Sequence, residues 1–195
     1  MDPVTVKGNS IYFIKRYIVE KHGNDYFGKL IEQLDPETRE VLSGSLVSNR
    51  GYPLKVKDAL LESYLLEEKS EVSFRECSAQ EVHQQLQGLM RIAVGFVSLD
   101  MLTKALQLLW NSHFSGGVIT GARVKGHSFL LRVSGIEASR AFWVHIEEYI
   151  KGLYEAVGKT KFTSSHRQVS NTEVEFVYVR DRPGALVSSE LQGRP

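Results

Sequence analysis

The chain contains very little cysteine and little proline, with one cysteine and five prolines among 195 residues. A single cysteine cannot form an internal disulfide bond, which excludes the disulfide-stabilised secreted scaffolds and predicts a reducing compartment. No apolar run approaches the ~20 residues that span a bilayer. Residues 1–10 also lack the charged-then-apolar pattern of a secretory signal. The sequence therefore predicts a cytoplasmic protein without a membrane span.

An excess of charge of either sign is also missing. Lysine and arginine total 24, aspartate and glutamate total 23, and the formal net charge is +1. Proteins that bind nucleic acids usually carry a concentrated basic face, so we predict no nucleic-acid partner. Hydrophobic residues make up 42% of the chain and charged residues 24%. That composition is typical of a folded globular domain and excludes general disorder.

The sequence lacks the short motifs that mark common active sites. It contains no HExxH pair, no cysteine-rich zinc cluster, no glycine-rich nucleotide loop and no GxSxG elbow. We interpret the adjacent carboxylates Glu147 and Glu148 as a solvated helix face, and Cys77 as a surface or half-buried thiol. These absences predict a protein that is not an enzyme and that binds no metal.

Hydrophobic residues recur at helical spacing through the first 114 residues. The pattern predicts helices over 10–21, 26–34, 36–42, 54–66, 78–97 and 99–109. Asp35 followed by Pro36 is a helix start, and Ser78 with Glu81 reads as a capping box that opens a helix at residue 78. Residues 43–53 read as a turn-rich loop.

The period of the pattern changes after residue 117. Residues 118–124 and 127–134 predict a hairpin with its turn at 125–126, residues 139–157 an amphipathic helix, and residues 161–169 and 173–180 a second hairpin. The predicted fold class is α+β, with a helical half over about 8–114 and a hairpin–helix–hairpin antiparallel sheet over about 117–182. We predict one domain over 1–182 and a flexible tail over 183–195.

Two stretches carry candidate ligand-binding residues. In the first, His113 lies between aromatic residues at a helix end, where it binds a metal or haem iron or hydrogen-bonds the last helix carbonyls. In the second, Arg132 and Ser134 share one strand face and are suited to a carboxylate or phosphate. The candidates for an apolar pocket and its polar rim are Leu102, Leu106, Trp110, His113, Phe114, Phe129, Leu131, Arg132, Ser134 and Phe142.

Several segments together resemble a bacterial family best known from myxobacteria and the haem nitric-oxide/oxygen-binding domain. They are Lys7-Gly8, Lys21-His22-Gly23, Gly51-Tyr52-Pro53, GGVITGARVKGHSFLLRVSG and EEYIKGLYEAVG. The chain is more remotely similar to 4-vinyl-reductase-type ligand domains and to TRAPP vesicle-tethering subunits. This resemblance extends to about Arg182. It implies a space between the 99–110 helix, the sheet and the 142–157 helix, which in relatives takes haem, aromatic molecules or an acyl chain.

The residues that hold ligands in these relatives have few matches here. The haem domains bring a histidine from the helical segment before the first hairpin, but 99–109 contains none and His113 lies close to the strand. Their Tyr-x-Ser-x-Arg motif matches residues 132–136 only at Ser134. The acylated cysteine of TRAPP-type subunits precedes a different helix from the one after Cys77. We therefore expect no cofactor, argue against haem, and consider a fatty acid or an aromatic molecule as ligand.

Three functions follow from the sequence. The first is a non-enzymatic sensory or regulatory domain that binds a small apolar or amphipathic ligand between helices and sheet and changes the surface offered to a protein partner. The second is a ligand-free, homodimeric interaction or scaffold module. The third is a divergent haem gas sensor that uses His113.

Overall fold

The computed structural model describes residues 3–86, 97–124 and 128–181. The predictions for residues 87–96, for the turn at 125–126 and for the tail 183–195 lie outside these ranges. The described helices are α1 Gly8–His22, α2 Asn24–Glu32, α3 Pro36–Ser43, α4 Leu54–Glu68, α5 Glu71–Gln85, α6 Leu99–His113 and α7 Arg140–Gly158. The described strands are β1 Thr5–Lys7, β2 Gly51–Pro53, β3 Val118–Arg123, β4 Ser128–Ser134, β5 Phe162–Ser170 and β6 Glu173–Arg180.

Side-chain caps fix the start of several helices. The carboxylate of Asp35 accepts a hydrogen bond of 3.1 Å from the backbone N–H of Thr38 at the start of α3. The hydroxyl of Ser98 accepts one of 3.2 Å from Met101 at the start of α6. Each cap satisfies a backbone donor that the first helical turn cannot pair internally. The predicted starts of these two helices are confirmed.

Helix α5 begins earlier than the sequence pattern indicates. Ser70 is its cap, because the Ser70 hydroxyl accepts a 3.3 Å hydrogen bond from the backbone N–H of Ser73. The predicted start at Ser78 is wrong, since Ser78 and Glu81 lie inside the helix and are buried. A serine followed three residues later by a glutamate is the spacing of a capping box. The same spacing also places both side chains on one helix face, and here that face is buried against other helices.

The stretch predicted as a loop over 43–53 ends in a short strand. Strands β1 and β2 pair antiparallel, with Val6 opposite Tyr52. Three residues are too few to display the alternation of a strand in a sequence. Next to this small sheet, the backbone N–H of Gly8 donates to the carbonyl of Arg50 at 2.9 Å. This bond fixes the start of α1 beside β2.

The main sheet has four antiparallel strands in the order β3-β4-β6-β5. One face is buried against the helices, and its inward residues are Ile119, Phe129, Leu131, Val133, Phe162, Val174, Phe176 and Tyr178. The opposite face pairs Arg132 of β4 with Glu175 of β6. Helix α6 packs on β3, and α7 packs on β5 and β6. The predicted α+β class with a hairpin–helix–hairpin sheet is confirmed.

Helix α7 is shared by the helical half and the sheet. It packs against α4, α5 and α6 on one side and against β5 on the other. Its first two turns are consequently buried around the whole circumference, from Ala141 to Glu147. Among the described residues, no helix combines the length and the apolar character needed to cross a membrane. The position of α7 decides which side chains can meet between the two halves.

We predict opposite effects of one substitution at two glycines. In Gly8→Ala the new methyl group would lie 2.3 Å from the carbonyl oxygen of Val47. We expect a loss of about 1–3 kcal/mol in the free energy of unfolding, because the backbone there must shift. Gly28 lies inside α2 with no atom within 4 Å of an added Cβ. Gly28→Ala should therefore stabilise the protein by about 0.5–1 kcal/mol.

Urea unfolding of both variants beside the unsubstituted protein measures these differences. Equal effects of the two substitutions would mean that the carbonyl of Val47 does not pack as closely against the start of α1 as the structure indicates.

Candidate functional site

An apolar cavity of about 300 Å³ lies between α6 and α7. This volume is at the lower end of the ~300–1,000 Å³ typical of small-molecule sites. Leu86 and Val97 form part of its border. The other described residues that line it are Gln85, Leu102, Ala105, Leu109, Ser112, His113, Tyr149, Leu153 and Val157.

Helical spacing explains why these side chains meet. On α6, Leu102, Leu109 and His113 lie on one side of the helix, and on α7 Tyr149 and Leu153 are four residues apart. Ala105 supplies only a methyl group on the cavity side of α6. The two helices therefore face each other with a gap between them that a larger residue would reduce.

His113 and Tyr149 are polar side chains that line this cavity and two smaller ones, of about 30 and about 20 Å³. Their rings meet edge to face with 6.3 Å between centroids. Nδ1 of His113 is buried and has no hydrogen-bond partner among the described residues. Burial lowers the pKa of His113, and the charge of Lys57 lowers it further. The imidazole is therefore neutral near pH 7 and can accept a hydrogen bond or a metal bond.

Behind His113 lies a group of five buried polar side chains, here called the buried cluster: Ser10, Lys57, Ser78, Glu81 and His145. Nζ of Lys57 donates to Oγ of Ser10 at 2.6 Å, and that hydroxyl donates to Oε1 of Glu81 at 3.2 Å. Oγ of Ser78 and Nδ1 of His145 are 2.7 Å apart. The buried cluster thus joins α1, α4, α5 and α7.

Glu81 carries a negative charge at the centre of the buried cluster. Burial alone would raise its pKa, but the charge of Lys57 and the nearby His145 outweigh burial and lower the pKa to about 2. Burial and Lys57 lower the pKa of His145, whose ring is consequently neutral. Nε2 of His145 lies 3.1 Å from Oε2 of Glu81. We assign the ring proton to Nε2, because a carboxylate can only accept, and Nδ1 then accepts from Ser78.

Ser78, His145 and Glu81 have the residue types of a nucleophile, base and acid. Ser78 is 0% exposed, and its hydroxyl is directed to the histidine inside the helical half. A nucleophile must reach a substrate carbon to react. The arrangement therefore serves to pair buried polar groups rather than to carry out a reaction.

A hydrogen-bond chain connects the buried cluster to the cavity. Oε1 of Glu81 accepts from Nε2 of Gln85 at 3.1 Å, and Oε1 of Gln85 accepts from the Tyr149 hydroxyl at 2.5 Å. Gln85 and Tyr149 both line the 300 Å³ cavity. In the cavity wall, Gln85 is therefore one hydrogen bond away from Glu81, and Tyr149 is two hydrogen bonds away.

The structure brings five of the predicted site residues to these cavities. Leu102 lines the large cavity and His113 lines all three. The other three residues line the 30 Å³ cavity, and they are Leu106, Trp110 and Phe114. All five come from α6 or the residue that follows it.

Three other predicted residues belong to the packed core. Phe129 stacks on Tyr154 with 4.9 Å between ring centroids, and Phe142 meets Phe114 edge to face at 5.9 Å. Leu131 is fully buried on the inner sheet face. None of the three lines the 300 Å³ cavity described above. Their side chains pack against other core residues instead.

Arg132 and Ser134 lie on the outer sheet face, away from the cavities. The guanidinium of Arg132 pairs with Glu173 at 3.1 Å and with Glu175 at 2.5 Å. Because neighbouring residues of a strand point to opposite faces, the positions that bury Phe129 and Leu131 turn Arg132 outward. Arg132 does not line the α6–α7 cavity, so it does not contact the head group of a ligand bound there.

Several residues that line the large cavity are not among the site residues predicted from the sequence. Tyr149, Leu153 and Val157 belong to the amphipathic stripe of α7, so helical spacing was a usable signal for them. Ala105 and Ser112 are small residues on the stripe side of α6, and Gln85 is a polar residue near a helix end. Nothing in the local pattern distinguishes these three from surface positions.

Glu147 is buried, so the interpretation of Glu147 and Glu148 as a solvated face is wrong for Glu147. Its side chain accepts hydrogen bonds from Arg75 at 3.0 Å and from Ser164 at 2.7 Å, and His166 is a third partner. These partners outweigh burial, which acts in the opposite direction, and lower the pKa of Glu147 to about 2.

Cys77 is fully buried rather than at the surface, and burial raises the pKa of its thiol. The side chain therefore stays protonated and unreactive at neutral pH. Among the described residues, no group of three or more histidine, cysteine, aspartate or glutamate side chains is arranged to hold a metal ion.

The ionised state of Glu147 predicts a pH dependence of stability. The folded-state pKa of about 2 lies below the ordinary value of 4.5, so Glu147 stabilises the fold above that value and the contribution is lost as the pH falls toward 2. We expect Glu147→Gln to make the loss of stability in acid shallower. Urea midpoints measured between about pH 7 and about pH 3 record the slope.

Glu148→Gln is the matched control, because Glu148 is the neighbouring carboxylate on the same helix and also pairs with Arg75, but its side chain is 12% exposed against 2% for Glu147. If both substitutions changed the slope equally, the burial of Glu147 would not be the cause.

The chain is similar in structure to solved H-NOX proteins, the haem nitric-oxide/oxygen-binding domains. A mutant H-NOX protein from K. algicida, in the Fe(II) unliganded state, aligns with a TM-score of 0.69 and 13% identity, over 90% of this chain and 97% of that chain. A mutant from S. oneidensis in the Fe(II) state gives 0.68 and 14%, over 92% and 98%. The oxygen complex of an oxygen-binding H-NOX domain related to soluble guanylate cyclases gives 0.63 and 8%, over 91% and 96%.

These likenesses establish an H-NOX-like fold, which confirms that part of the resemblance noted in the sequence. No protein-family model and no curated protein matches the chain. The suggested links to 4-vinyl-reductase-type domains and to TRAPP subunits stay predictions.

The expectation that the protein binds no cofactor, and the argument against haem, are contradicted by this comparison. The similar structures are H-NOX proteins, two of them described in the Fe(II) state. A haem-binding histidine was expected within residues 99–109, a range that ends before His113. In the structure, His113 follows Leu109 by one helical turn, and both residues line the same cavity.

The residues at the cavity fit haem in one respect that the structure makes explicit. Haem iron is commonly held by a neutral histidine nitrogen, and the imidazole of His113 is neutral and has a buried nitrogen, Nδ1, without a hydrogen-bond partner in the described part of the chain. The surrounding wall is formed mainly by leucine and valine side chains, as an apolar macrocycle requires.

Proposed function

We propose that the protein is a non-enzymatic sensory domain that binds a largely apolar ligand in the cavity between α6 and α7. His113 is the polar contact of the ligand. Occupancy of the cavity alters the packing of α7 against the helical half, and so changes the surface available to a protein partner.

The cavity with its single histidine is the observation that carries this proposal. Seven of the described residues that line it are leucine, valine or alanine, and four are polar: His113, Tyr149, Gln85 and Ser112. Ligand sites of soluble proteins commonly combine an apolar wall with a small number of polar groups that orient the ligand.

Haem is the first ligand to test, because the H-NOX-like fold and His113 both favour it. His113 would hold the iron through an imidazole nitrogen. Leu102, Leu109 and Leu153 would contact the macrocycle and exclude water. Haem supplies an iron atom that can bind a small gas molecule. The other candidates are a fatty acid and an aromatic molecule, which would use His113 as a hydrogen-bond partner.

The alternative function is a ligand-free interaction module that acts as a homodimer. It requires no open cavity, and the 300 Å³ space between α6 and α7 favours the ligand-binding domain over it. A protein partner, a homodimer and a cytoplasmic location stay predictions.

Native mass spectrometry of the purified protein, with and without added haem or decanoate, tests ligand binding and gives the oligomeric state. We expect a bound mass that is released on denaturation. In Leu102→Trp the indole should fill the cavity and weaken binding at least tenfold, about 1.4 kcal/mol, with the fold intact. Leu102 is 6% exposed and lines the cavity.

Leu108→Trp is the matched control, because Leu108 lies on the same helix and is 73% exposed. It should bind the ligand as the unsubstituted protein does. A bare polypeptide mass with both ligands, or unfolding caused by Leu102→Trp, would instead favour a filled core and the interaction module.

The role of His113 is tested separately with His113→Leu. If haem binds, we expect its absorption bands to shift in this variant, because the iron loses its nitrogen ligand. If only decanoate binds, the affinity should fall through the loss of one hydrogen bond, by roughly 0.5–1.5 kcal/mol. Absorption spectra and ligand titrations give both readings.

His83→Leu is the control, since His83 is exposed on α5. Unchanged spectra and affinities in His113→Leu would remove His113 from the site while leaving the cavity as a ligand site.

A further inference from the structure

The smallest of the three cavities lies between His113 and the buried cluster. It measures about 20 Å³, and its wall includes Lys57, Glu81, His113 and His145. A cavity of ~10–15 Å³ is sufficient for one water molecule, provided that polar atoms surround it. The space is too small for a larger ligand and large enough for one water.

Three polar atoms on side chains of this wall have no hydrogen-bond partner of good geometry among the described residues. They are Oε2 of Glu81, Nε2 of His145 and Nδ1 of His113. Glu81 is 3% exposed and His145 is 1% exposed, so bulk solvent does not supply the missing partners. Glu81 and His145 approach to 3.1 Å, yet neither atom has a well-aligned partner. Buried polar groups in folded proteins are nearly always paired, often by an ordered water.

The chemistry of the three atoms matches one water molecule. The proton on Nε2 of His145 requires an acceptor, and the ionised carboxylate of Glu81 requires a donor. A water oxygen accepts from the first, and one of its hydrogens is donated to the second. One donor and one acceptor function then remain, so Nδ1 of His113 is satisfied whichever ring nitrogen carries its proton.

We infer that the 20 Å³ cavity binds one ordered water molecule, which joins His113 to Glu81 and His145. Glu81 is then a positioning residue for His113. It acts through the water on the orientation of the ring that lines the ligand cavity. A role of this water in sensing depends on the proposed function. The presence of the water itself does not depend on it.

The link has a consequence for signalling. A ligand that turns or displaces the His113 ring must break a hydrogen bond to the water. The water also contacts Glu81, which accepts a hydrogen bond from Ser10 of α1, and His145, which is paired with Ser78 of α5. Ser10 in turn accepts a hydrogen bond from Lys57 of α4. Occupancy of the cavity would thus alter hydrogen bonds that join four helices.

A high-resolution crystal structure of the ligand-free protein tests the water site directly. We expect one water within about 2.7–3.2 Å of Oε2 of Glu81 and of Nδ1 of His113. An empty cavity, or a water that does not reach His113, would overturn the inference.

A double-mutant cycle tests the coupling in solution. His113→Leu is introduced into the unsubstituted protein and into a background with Lys57→Met and Glu81→Met, which removes both buried charges together. His113→Leu changes the unfolding equilibrium constant by some factor in each protein. We expect that factor to be at least about ten times smaller in the doubly substituted background than in the unsubstituted protein, because the water has lost its carboxylate partner. An equal effect in both backgrounds would contradict the link.

The control background carries Arg75→Met and Glu147→Met. It removes a different buried carboxylate, that of Glu147 on α7, together with its arginine partner, and these residues do not line the small cavity. There, His113→Leu should act as in the unsubstituted protein. The ring ¹⁵N resonances of His113 give a second reading in the folded state. They should shift in the Lys57→Met, Glu81→Met background and stay unchanged in the control background.

All of these measurements use ligand-free protein, so they separate this inference from the proposed function. A water with coupling but no ligand binding would support the link and reject the sensory role. Ligand binding without the water or the coupling would reject the link alone. If the Lys57→Met, Glu81→Met background does not fold, the crystal structure decides.

Discussion

The ionised carboxylate of Glu81, buried among helices, is the constraint around which the helical half is arranged. Lys57 from α4 acts on it through Ser10 of α1, Gln85 donates to it from its own helix, and His145 approaches it from α7. A buried charge is tolerated only if its surroundings compensate the loss of water, and removing one partner commonly costs about 3–5 kcal/mol. The relative positions of α1, α4, α5 and α7 are therefore tied to one carboxylate, in addition to the apolar packing between them.

Helix α7 carries polar residues with separate roles on different sides. His145 and Tyr149, four residues apart, face the buried cluster and the cavity. Glu147 lies toward Arg75 of α5 and Ser164 of β5. The helix is thus held by neutral hydrogen bonds from His145 and Tyr149 on one side and by charge-assisted hydrogen bonds of Glu147 on another, with apolar contacts between them. Because these partners position α7 from other sides, a gap can persist beside α6 among the described residues.

The sequence was sufficient for most of the fold and for part of the site. Caps such as Asp35 and Ser98, and the alternation in β4 and β6, are local signals, and the elements that they predict are present. The start of α5 was missed because Ser78 and Glu81 have the same spacing in a capping box and on a buried polar face. Glu147 was missed because burial of a charged residue depends on partners distant in sequence. The sequence predicted only some of the residues that line the cavity. Leu102 in the cavity wall and Leu131 in the packed core are the same residue type, and only their neighbours in the fold distinguish them.

The interdependence of Lys57 and Glu81 also constrains how such a chain can evolve. A lysine replaced on its own leaves a buried carboxylate without its counter-charge, and a replaced glutamate leaves a buried ammonium group in the same position. Either intermediate is less stable than both the starting protein and a descendant in which two apolar residues occupy these sites. Descendants of this protein should therefore keep the pair or lose both members together, and the helices that meet at Glu81 should inherit their arrangement as one unit.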